Sequence, residues 1–288
     1  MTAVAPICSK IMTIKEQKEI IITELQSISE SPILEATELI IFATDLDRSK
    51  ILYSQNEQLS SAEQRLIKKC VAKRKKGVPL QYILGEWEFY SLPFKVGKGV
   101  LIPRADSELL VDLVLEEVGC DEQKTLLDLC SGSGALGIAV AKNAPNLTVT
   151  LVEKSRKAFR YLKENISLNK SKAKAVRADI FKWKPKEPSD IVICNPPYIT
   201  KDEMSKLQKE VKMEPTAALF GGKDGLKFYR YLSGNAPKFL KSGGKMYVEI
   251  GYKQASEVKA LFESSGFEQV EVFKDLSGND RVVSAALK

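Results

Sequence analysis

The hydrophobic positions in the first part of the chain recur at the spacing of helices. One predicted helical face is formed by Ile14, Ile21, Leu25 and Ile28. Ser31 followed by Pro32 is typical of a helix start with Pro at the first helical position. Ser60 with Glu63 three residues later forms a capping-box pattern, which predicts the start of another helix. Together these signals predict a small helical bundle.

From about residue 103 the pattern changes to short apolar runs that alternate with helical stretches, which predicts a mostly parallel α/β sheet. The predicted strands lie near residues 125–129, 148–152, 174–177, 191–194, 245–250, 269–273 and 281–285. Between the two patterns, aromatic and β-branched residues flanked by Gly and Pro predict a β-hairpin. We therefore predict three parts: a helical domain over residues 1–76, a hairpin linker over 77–102 and an α/β domain over 103–288.

The composition excludes several classes of protein. The 288 residues contain no apolar run approaching the ~20 residues of a membrane span and no N-terminal signal pattern, so no membrane partner is expected. The absence of histidine excludes Ser-His-Asp and Cys-His catalysis and every His-ligated metal site. The cysteines lie far apart without a C-x-x-C pair, which predicts no zinc site, no disulfide framework and a reducing cytoplasm. They are Cys8, Cys70, Cys120, Cys130 and Cys194.

The net charge of +7 is compatible with a nucleic acid or an acidic protein as partner. Its densest source is the basic segment over residues 65–76. Either a solvated helix face or a surface that docks a partner explains this segment, and both interpretations stay open.

The first predicted strand of the α/β part runs directly into a glycine turn. This candidate cofactor loop consists of Cys130, Ser131, Gly132, Ser133 and Gly134. Glycines let the backbone approach a ligand closely, and the helix that follows offers its N-terminal amides. Such a loop could bind a dinucleotide, but its glycines do not follow the G-x-G-x-x-G order.

Acidic residues end the next two predicted strands. Glu153 follows the glycine loop by about 20 residues, where a carboxylate can accept from both ribose hydroxyls. Asp179 ends the following strand and can accept from an adenine amine, with Ile180 or Phe181 against the ring. Each acid alone is equally well explained as surface charge. Their order after a glycine loop indicates a site for S-adenosylmethionine.

The tetrapeptide of Asn195, Pro196, Pro197 and Tyr198 follows the apolar run 191–194. Each proline fixes φ near −65° and removes a backbone donor, so the segment is stiff and rich in carbonyl acceptors. The Asn195 side-chain oxygen and the Pro196 carbonyl can accept from one flat NH2 group, with the Tyr198 ring beside it. This predicts a site for a planar amine, and a rigid turn without chemistry is the alternative.

This combination of motifs resembles two groups of methyltransferases: enzymes that methylate amino groups of DNA and RNA bases, and glutamine methyltransferases of the PrmC/HemK type. The flanking segments favour the second group. They are residues 79–86, 99–108, 221–226 and 275–281. The resemblance extends over roughly residues 14 to 286 and includes the helical domain.

The resemblance implies a class I S-adenosylmethionine-dependent methyltransferase fold, with a seven-stranded, mostly parallel sheet and a small N-terminal helical bundle joined by a β-hairpin. The PrmC/HemK family methylates the side-chain amide nitrogen, N5, of the glutamine in the Gly-Gly-Gln motif of bacterial-type peptide chain release factors. S-adenosylmethionine is thus the expected cofactor and a release factor the expected partner, and no direct binding of nucleic acid is expected. The helical domain would dock the substrate protein.

By the same resemblance, the glycine loop and Asn195 would contact the cofactor, Glu153 its ribose, and Asp179 with Ile180 its adenine. The tetrapeptide would bind the glutamine amide. Its catalytic members would be Asn195, Pro196 and Tyr198. The chain departs from the family pattern in carrying Cys130 and Ala178 in place of Gly, and Glu153 in place of the commoner Asp. A ribosomal-protein glutamine and a nucleic acid amino group are the alternative acceptors.

Overall fold

The computed structural model describes residues 12–118 and 123–288, which form two compact units divided between Leu84 and Gly85. Cys8 and Cys120 lie outside the described residues. This division lies between the domain limits predicted at residues 76 and 102. The predicted limits themselves stay a prediction.

The first unit is helical. Its helices are α1 (Ile14–Leu25), α2 (Pro32–Thr44), α3 (Arg48–Tyr53), α4 (Ser61–Lys75) and α5 (Leu80–Leu84). The predicted capping box is present before α4, since the Ser60 hydroxyl accepts from the Glu63 amide and the Glu63 carboxylate accepts from the Ser60 amide. Helix α2 begins at Pro32 as predicted, although the Ser31 side chain makes no capping hydrogen bond.

The predicted apolar face of α1 is confirmed at three positions and wrong at the fourth. Ile14, Ile21 and Leu25 are buried. Helix α1 ends at Leu25, and Ile28 is 41% exposed. The reason is that the helical repeat stops before Ile28, so its side chain no longer follows the buried face.

One member of the basic segment 65–76 lies in the interior of the helical unit. The Arg74 side chain is 1% exposed, and its Nε and Nη2 atoms lie 2.6 and 2.8 Å from the two carboxylate oxygens of Glu35. Arg74 also donates to the Val78 carbonyl at 3.0 Å. Paired and hydrogen-bonded in this way, the buried guanidinium connects α4 to α2. Arg74 therefore has a structural role that the sequence pattern did not reveal.

The segment predicted as a hairpin over 77–102 contains a helix in addition to the hairpin. The hairpin strands are β1 (Glu86–Phe89) and β2 (Leu92–Lys95), which pair antiparallel. Helix α5 precedes the hairpin. It forms because proline has the φ of a first helical turn and the Pro79 carbonyl accepts from the Tyr82 and Ile83 amides. The predicted hairpin is confirmed over these shorter limits.

The second unit is built on a seven-stranded sheet. The strands are β3 (Thr125–Leu129), β4 (Thr148–Glu153), β5 (Lys174–Arg177), β6 (Ser189–Cys194), β7 (Leu240–Glu249), β8 (Phe267–Lys274) and β9 (Asp280–Leu287). Their order across the sheet is β5-β4-β3-β6-β7-β9-β8, and β9 is antiparallel to both of its neighbours while the other pairs are parallel. All seven predicted strands are therefore confirmed, together with the mostly parallel α/β fold.

Helices pack on both faces of this sheet. The helices of this unit are α6 (Glu108–Val118), α7 (Ala135–Asn143), α8 (Arg156–Leu168), α9 (Lys201–Lys206), α10 (Thr216–Leu219), α11 (Lys227–Gly234) and α12 (Ala255–Ser264). Those that share a core with the strands are α6, α7, α8, α11 and α12. The adjacent β3 residues Leu126 and Leu127 belong to different cores, the first shared with α6 and α7 and the second with α11 and α12. Strands buried on both faces explain the continuous apolar runs of the sequence. Among the described residues, no helix has the length and apolarity needed to cross a membrane.

The register of the parallel strands brings four chain segments to one edge of the sheet. Leu129 of β3 lies beside Val152 of β4 and Cys194 of β6. Cys194 in turn lies beside Val248 of β7. The residues that follow these positions leave the sheet at the same edge, which is where open α/β sheets bind their ligands.

Candidate active site

A cleft of about 670 Å³ opens at this edge of the sheet, entirely within the second unit. Predicted site residues that line it are Cys130, Ser131, Gly132, Ser133, Glu153, Asp179, Ile180, Asn195 and Pro197. Other residues in its walls include Leu101, Pro103, Arg104, Ser107, Ala217, Phe220, Lys227 and Phe228. The structure thus brings most of the predicted residues together, while Gly134, Pro196 and Tyr198 lie outside the lining.

The glycine loop leaves β3 with three residues in the left-handed region of backbone space. The φ angles are 63° at Cys130, 55° at Gly132 and 85° at Gly134. The Gly134 amide donates to the Ser131 carbonyl at 2.7 Å, which closes the loop into a tight turn before α7. A Cβ atom at Gly134 would lie 2.4 Å from Leu162 Cδ1. Gly134 therefore permits close packing of the loop against α8, and Gly132 is the glycine that faces the cleft.

Asp128 lies in β3 immediately before this loop and is 1% exposed. Its Oδ2 accepts from the Gly137 amide at 3.2 Å. Its Oδ1 has no hydrogen-bond partner among the described residues. Burial raises the pKa of Asp128 to about 8. The carboxyl group is therefore mainly protonated at neutral pH in the free protein.

Glu153 closes β4 and is held by backbone donors. Its Oε2 accepts from the Gly132 amide at 2.9 Å and its Oε1 from the Ser155 amide at 2.5 Å. Burial raises the pKa of Glu153 above its ordinary value, and these two hydrogen bonds oppose the shift. Each oxygen keeps a further lone pair, so the carboxylate can still accept from a ligand in the cleft.

Asp179 and Ile180 follow β5 on the same side of the cleft. Asp179 accepts from the Phe181 amide at 3.2 Å and forms an ion pair with Lys154 at 2.9 Å. Burial raises the pKa of Asp179, but Lys154 and the Phe181 amide outweigh it and hold the pKa below the ordinary value. Ile180 is buried, and the Lys227 ammonium lies 5.0 Å from the Phe181 ring centroid. These groups offer an ionised acceptor beside an apolar surface.

Asn195 follows β6, and the NH2 group of its side chain is directed into the protein. Nδ2 donates to Glu249 Oε2 at 2.8 Å and to Ser107 Oγ at 3.3 Å. No described residue donates to the Asn195 side-chain oxygen, and Asn195 lines the cleft. The side-chain oxygen is therefore the atom of Asn195 available to accept from a ligand.

Glu249 connects the residues around Asn195. Its side chain is 1% exposed and accepts from Asn195, from the Ser107 hydroxyl and, at 3.4 Å, from the Tyr198 hydroxyl. Burial raises the pKa of Glu249, and Ser107 and the nearby Arg281 oppose that shift. The Tyr198 hydroxyl thus faces Glu249, and the expected place of the Tyr198 ring beside the substrate amine stays a prediction.

Two further side chains, those of Glu214 and Gln254, support the cleft. The Glu214 carboxylate is buried, accepts from the Ile102 amide at 3.0 Å and pairs with Arg104. This holds the segment that contributes Leu101, Pro103 and Arg104 to the wall. Behind the tetrapeptide, Gln254 Nε2 donates to the Tyr198 carbonyl at 3.1 Å.

Sequence reasoning missed Ser107, Glu214 and Glu249 as site residues. Glu249 carries a signal that could have found it, because it is an acidic residue next to the end of the predicted apolar strand 245–250, as Glu153 and Asp179 are acidic residues at the ends of theirs. Ser107 ends a short 3-10 helix and Glu214 directly follows another, and neither position carries such a signal.

The described residues contain no group of three or more Cys, Asp or Glu side chains placed to hold a metal ion. The expectation of a site without metal stays a prediction.

The sheet order, the glycine loop after β3 and the acids after the next two strands define a class I methyltransferase. A methyltransferase from Pyrococcus furiosus shares this fold, with a TM-score of 0.52 and 20% identity over 69% of this chain and 90% of that one.

Residues 21–85 match the family described as the PrmC N-terminal domain, and residues 105–219 match the methyltransferase small domain. The release factor glutamine methyltransferase of Thermodesulfovibrio yellowstonii is 42% identical over 87% of this chain and 91% of its own length. The enzyme of the same name from Coxiella burnetii is 32% identical over 95% of this chain and 99% of its own length. The chain belongs to the family of release factor glutamine methyltransferases.

Proposed function

We propose that this protein transfers a methyl group from S-adenosylmethionine to the side-chain amide nitrogen of the glutamine in the Gly-Gly-Gln motif of peptide chain release factors. The observation that carries the proposal is the orientation of Asn195. Its NH2 group is engaged by Glu249 and Ser107, so a side-chain oxygen is left at the cleft to accept from a planar NH2 group. Relatives that bear the name of this activity match nearly the whole chain.

The residues of the cleft fit S-adenosylmethionine. The glycine loop leaves open space at Gly132, where a Cβ atom would meet only the Cys130 carbonyl at 4.0 Å. Glu153 would accept from the ribose hydroxyls, and Asp179 from the adenine amine with Ile180 against the ring. When bound, S-adenosylmethionine supplies a methyl group on a sulfonium sulfur, which is a strong electrophile.

The protein would act mainly by positioning the glutamine amide. An amide nitrogen is a poor nucleophile because its lone pair is delocalised into the carbonyl, and fixed orientation can supply much of what is missing. Asn195 Oδ1 and the Pro196 carbonyl would accept from the two N–H groups and stabilise positive charge that develops on the nitrogen. No strong base is needed, since the nitrogen becomes acidic as it gains the methyl group, and the chain contains no histidine.

The experiment uses purified full-length protein, labelled S-adenosylmethionine and a bacterial-type release factor, beside the same factor with Gly-Gly-Gln changed to Gly-Gly-Ala. We expect label in the intact factor only. Label in neither factor, with cofactor binding intact by calorimetry, would reject the proposal and favour a ribosomal protein or a nucleic acid as acceptor.

The substitution Asn195→Ala tests the site within the same assay. We expect kcat to fall about 100-fold or more, the loss typical of a removed donor or acceptor at a reacting centre, while the cofactor Kd changes by a few-fold at most. Asn143→Ala is the matched control, because Asn143 is exposed at the end of α7 and lies outside the cleft. A near-normal kcat for Asn195→Ala would rule out the proposed role.

A further inference from the structure

We infer that Glu249 is a positioning residue that fixes which end of the Asn195 side chain faces the substrate. This inference rests on the proposed function. It adds the group that turns the accepting end of the Asn195 side chain toward the substrate. It is carried by the contacts of one buried carboxylate with three donors, one from Ser107 and two from the tetrapeptide.

The chemical nature of Glu249 determines the orientation of Asn195. A carboxylate only accepts hydrogen bonds, whereas an asparagine amide has one donating and one accepting end. With Glu249 Oε2 at 2.8 Å, the donating end of Asn195 must turn toward the carboxylate. The accepting end then faces the cleft. A neutral residue at position 249 that could itself donate would allow the opposite orientation.

The surroundings match an ionised Glu249. Asn195 Nδ2, the Ser107 hydroxyl and the Tyr198 hydroxyl all donate to it, and protonation would convert one of its acceptor sites into a donor. The positive charge of Arg281 also favours the ionised form of Glu249, and Arg281 Nη2 is held by Asp275 at 2.9 Å and Asp106 at 3.0 Å. An ionised partner also makes the hydrogen bond from Asn195 stronger than a neutral one would.

The backbone of Glu249 is equally well fixed. It ends β7, which lies beside β6, the strand that Asn195 follows, and its carbonyl accepts from the buried Tyr229 hydroxyl at 2.8 Å. Ser107 adds a second constraint, because its hydroxyl donates to Glu249 and accepts from Asn195. The Asn195 amide is therefore held by two partners. Such support is needed for a group that must present one orientation to its substrate.

The first test is Glu249→Gln, which keeps the size of the side chain and removes its charge. We expect kcat for release factor methylation to fall about 10- to 100-fold, the range for losing a hydrogen bond to a charged group. The cofactor Kd should stay within a few-fold of wild type. Glu263→Gln is the matched control, since Glu263 is about half exposed on α12 and outside the cleft. We expect it to be indistinguishable from wild type.

The decisive variant exchanges the donor and acceptor roles. In the double variant E249Q/N195D, the amide introduced at position 249 can donate to one oxygen of the carboxylate introduced at position 195 and leave the other oxygen facing the cleft. We expect the double variant to be at least about tenfold faster than N195D alone, which places two carboxyl groups against each other. A purely structural Glu249 would give additive losses and no recovery.

The outcomes separate this inference from the proposed function. Equal kcat for wild type and Glu249→Gln, with the release factor labelled by both, would overturn the inference and leave the function intact. No label with wild type would overturn both. If Glu249→Gln does not fold, Glu249→Asp shortens the side chain and withdraws the carboxylate from Asn195 Nδ2, and an unchanged kcat in that variant would also reject the inference.

Discussion

Cys130 departs from its family's pattern and adopts a backbone conformation that favours glycine. The resemblance expects Gly at this position, and the backbone there has φ 63°, a conformation that costs a side-chain-bearing residue roughly 1–2 kcal/mol. The loop nevertheless keeps the left-handed turn, and Cys130 lies in the cleft wall. The loop geometry is therefore imposed by the surrounding fold rather than by the residue at this position.

Asp128 predicts a pH dependence of stability in the free protein. Its folded pKa of about 8 lies above that of an unfolded Asp, about 4, so between these values the native state holds a proton that the unfolded state has lost. The contribution of Asp128 to stability is thus fully present below about pH 4 and is lost as pH rises toward 8. The loss is on the order of 1 kcal/mol per pH unit.

The variant Asp128→Asn isolates this effect, because it removes the titration. We expect the stability of the variant relative to wild type to rise between pH 5 and pH 8 and to level off above pH 8. Urea unfolding at several pH values measures the difference. A difference that does not vary with pH would mean that the Asp128 carboxyl is not protonated in the native state.

At the scale of elements, the segment from Gly221 to Gly225 supports the tetrapeptide. The Ile199 amide donates to the Leu219 carbonyl at 2.8 Å, and the Gly221 amide donates to the Ile199 carbonyl at 2.9 Å. A Cβ atom at Gly221 would lie 2.6 Å from both the Pro197 carbonyl oxygen and Tyr198 Cα. In the sequence, this segment stands out only through the family resemblance. The close packing of its backbone against the tetrapeptide gives the physical reason for glycine at position 221.

We therefore expect Gly221→Ala to displace the tetrapeptide and lower kcat by about 10- to 100-fold, since shifts near 1 Å in a positioned group have costs of this order. Gly234→Ala is the control, because a Cβ atom there meets nothing within 4 Å and Gly234 ends α11. Steady-state kinetics measures kcat for both variants, and melting temperatures compare their stability. A kcat for Gly221→Ala equal to that of the control would show that the backbone contact is not needed.

At the scale of the whole molecule, the second unit contains every residue that lines the cleft and has its own cores on both faces of the sheet. We expect residues 85–288, produced alone, to bind S-adenosylmethionine within a few-fold of the full chain and to methylate a short Gly-Gly-Gln peptide equally well.

The same fragment should methylate an intact release factor with kcat/KM at least about tenfold below that of the full chain, if the helical unit docks the substrate protein. Equal kcat/KM values on the intact factor would assign docking to the second unit. The basic segment 65–76 would then be a solvated surface apart from the buried Arg74.

Local sequence patterns are sufficient to locate the elements and the order of the functional groups along the chain. Apolar runs and glycine breaks located all seven strands, and strand ends located the glycine loop, Glu153, Asp179 and Asn195. These signals are local, because the period of hydrophobic residues and the conformational freedom of glycine act over a few residues.

Contacts between groups that are distant in the sequence depend on the topology of the fold. Asn195 lies 54 positions from Glu249 and 88 from Ser107, and no local pattern relates them. The order of the strands across the sheet places β7 beside β6, and with it a buried carboxylate beside the amide. Topology rather than local sequence therefore turns the oxygen of Asn195 toward the cleft, because the orientation of an amide depends on the group that its other end contacts.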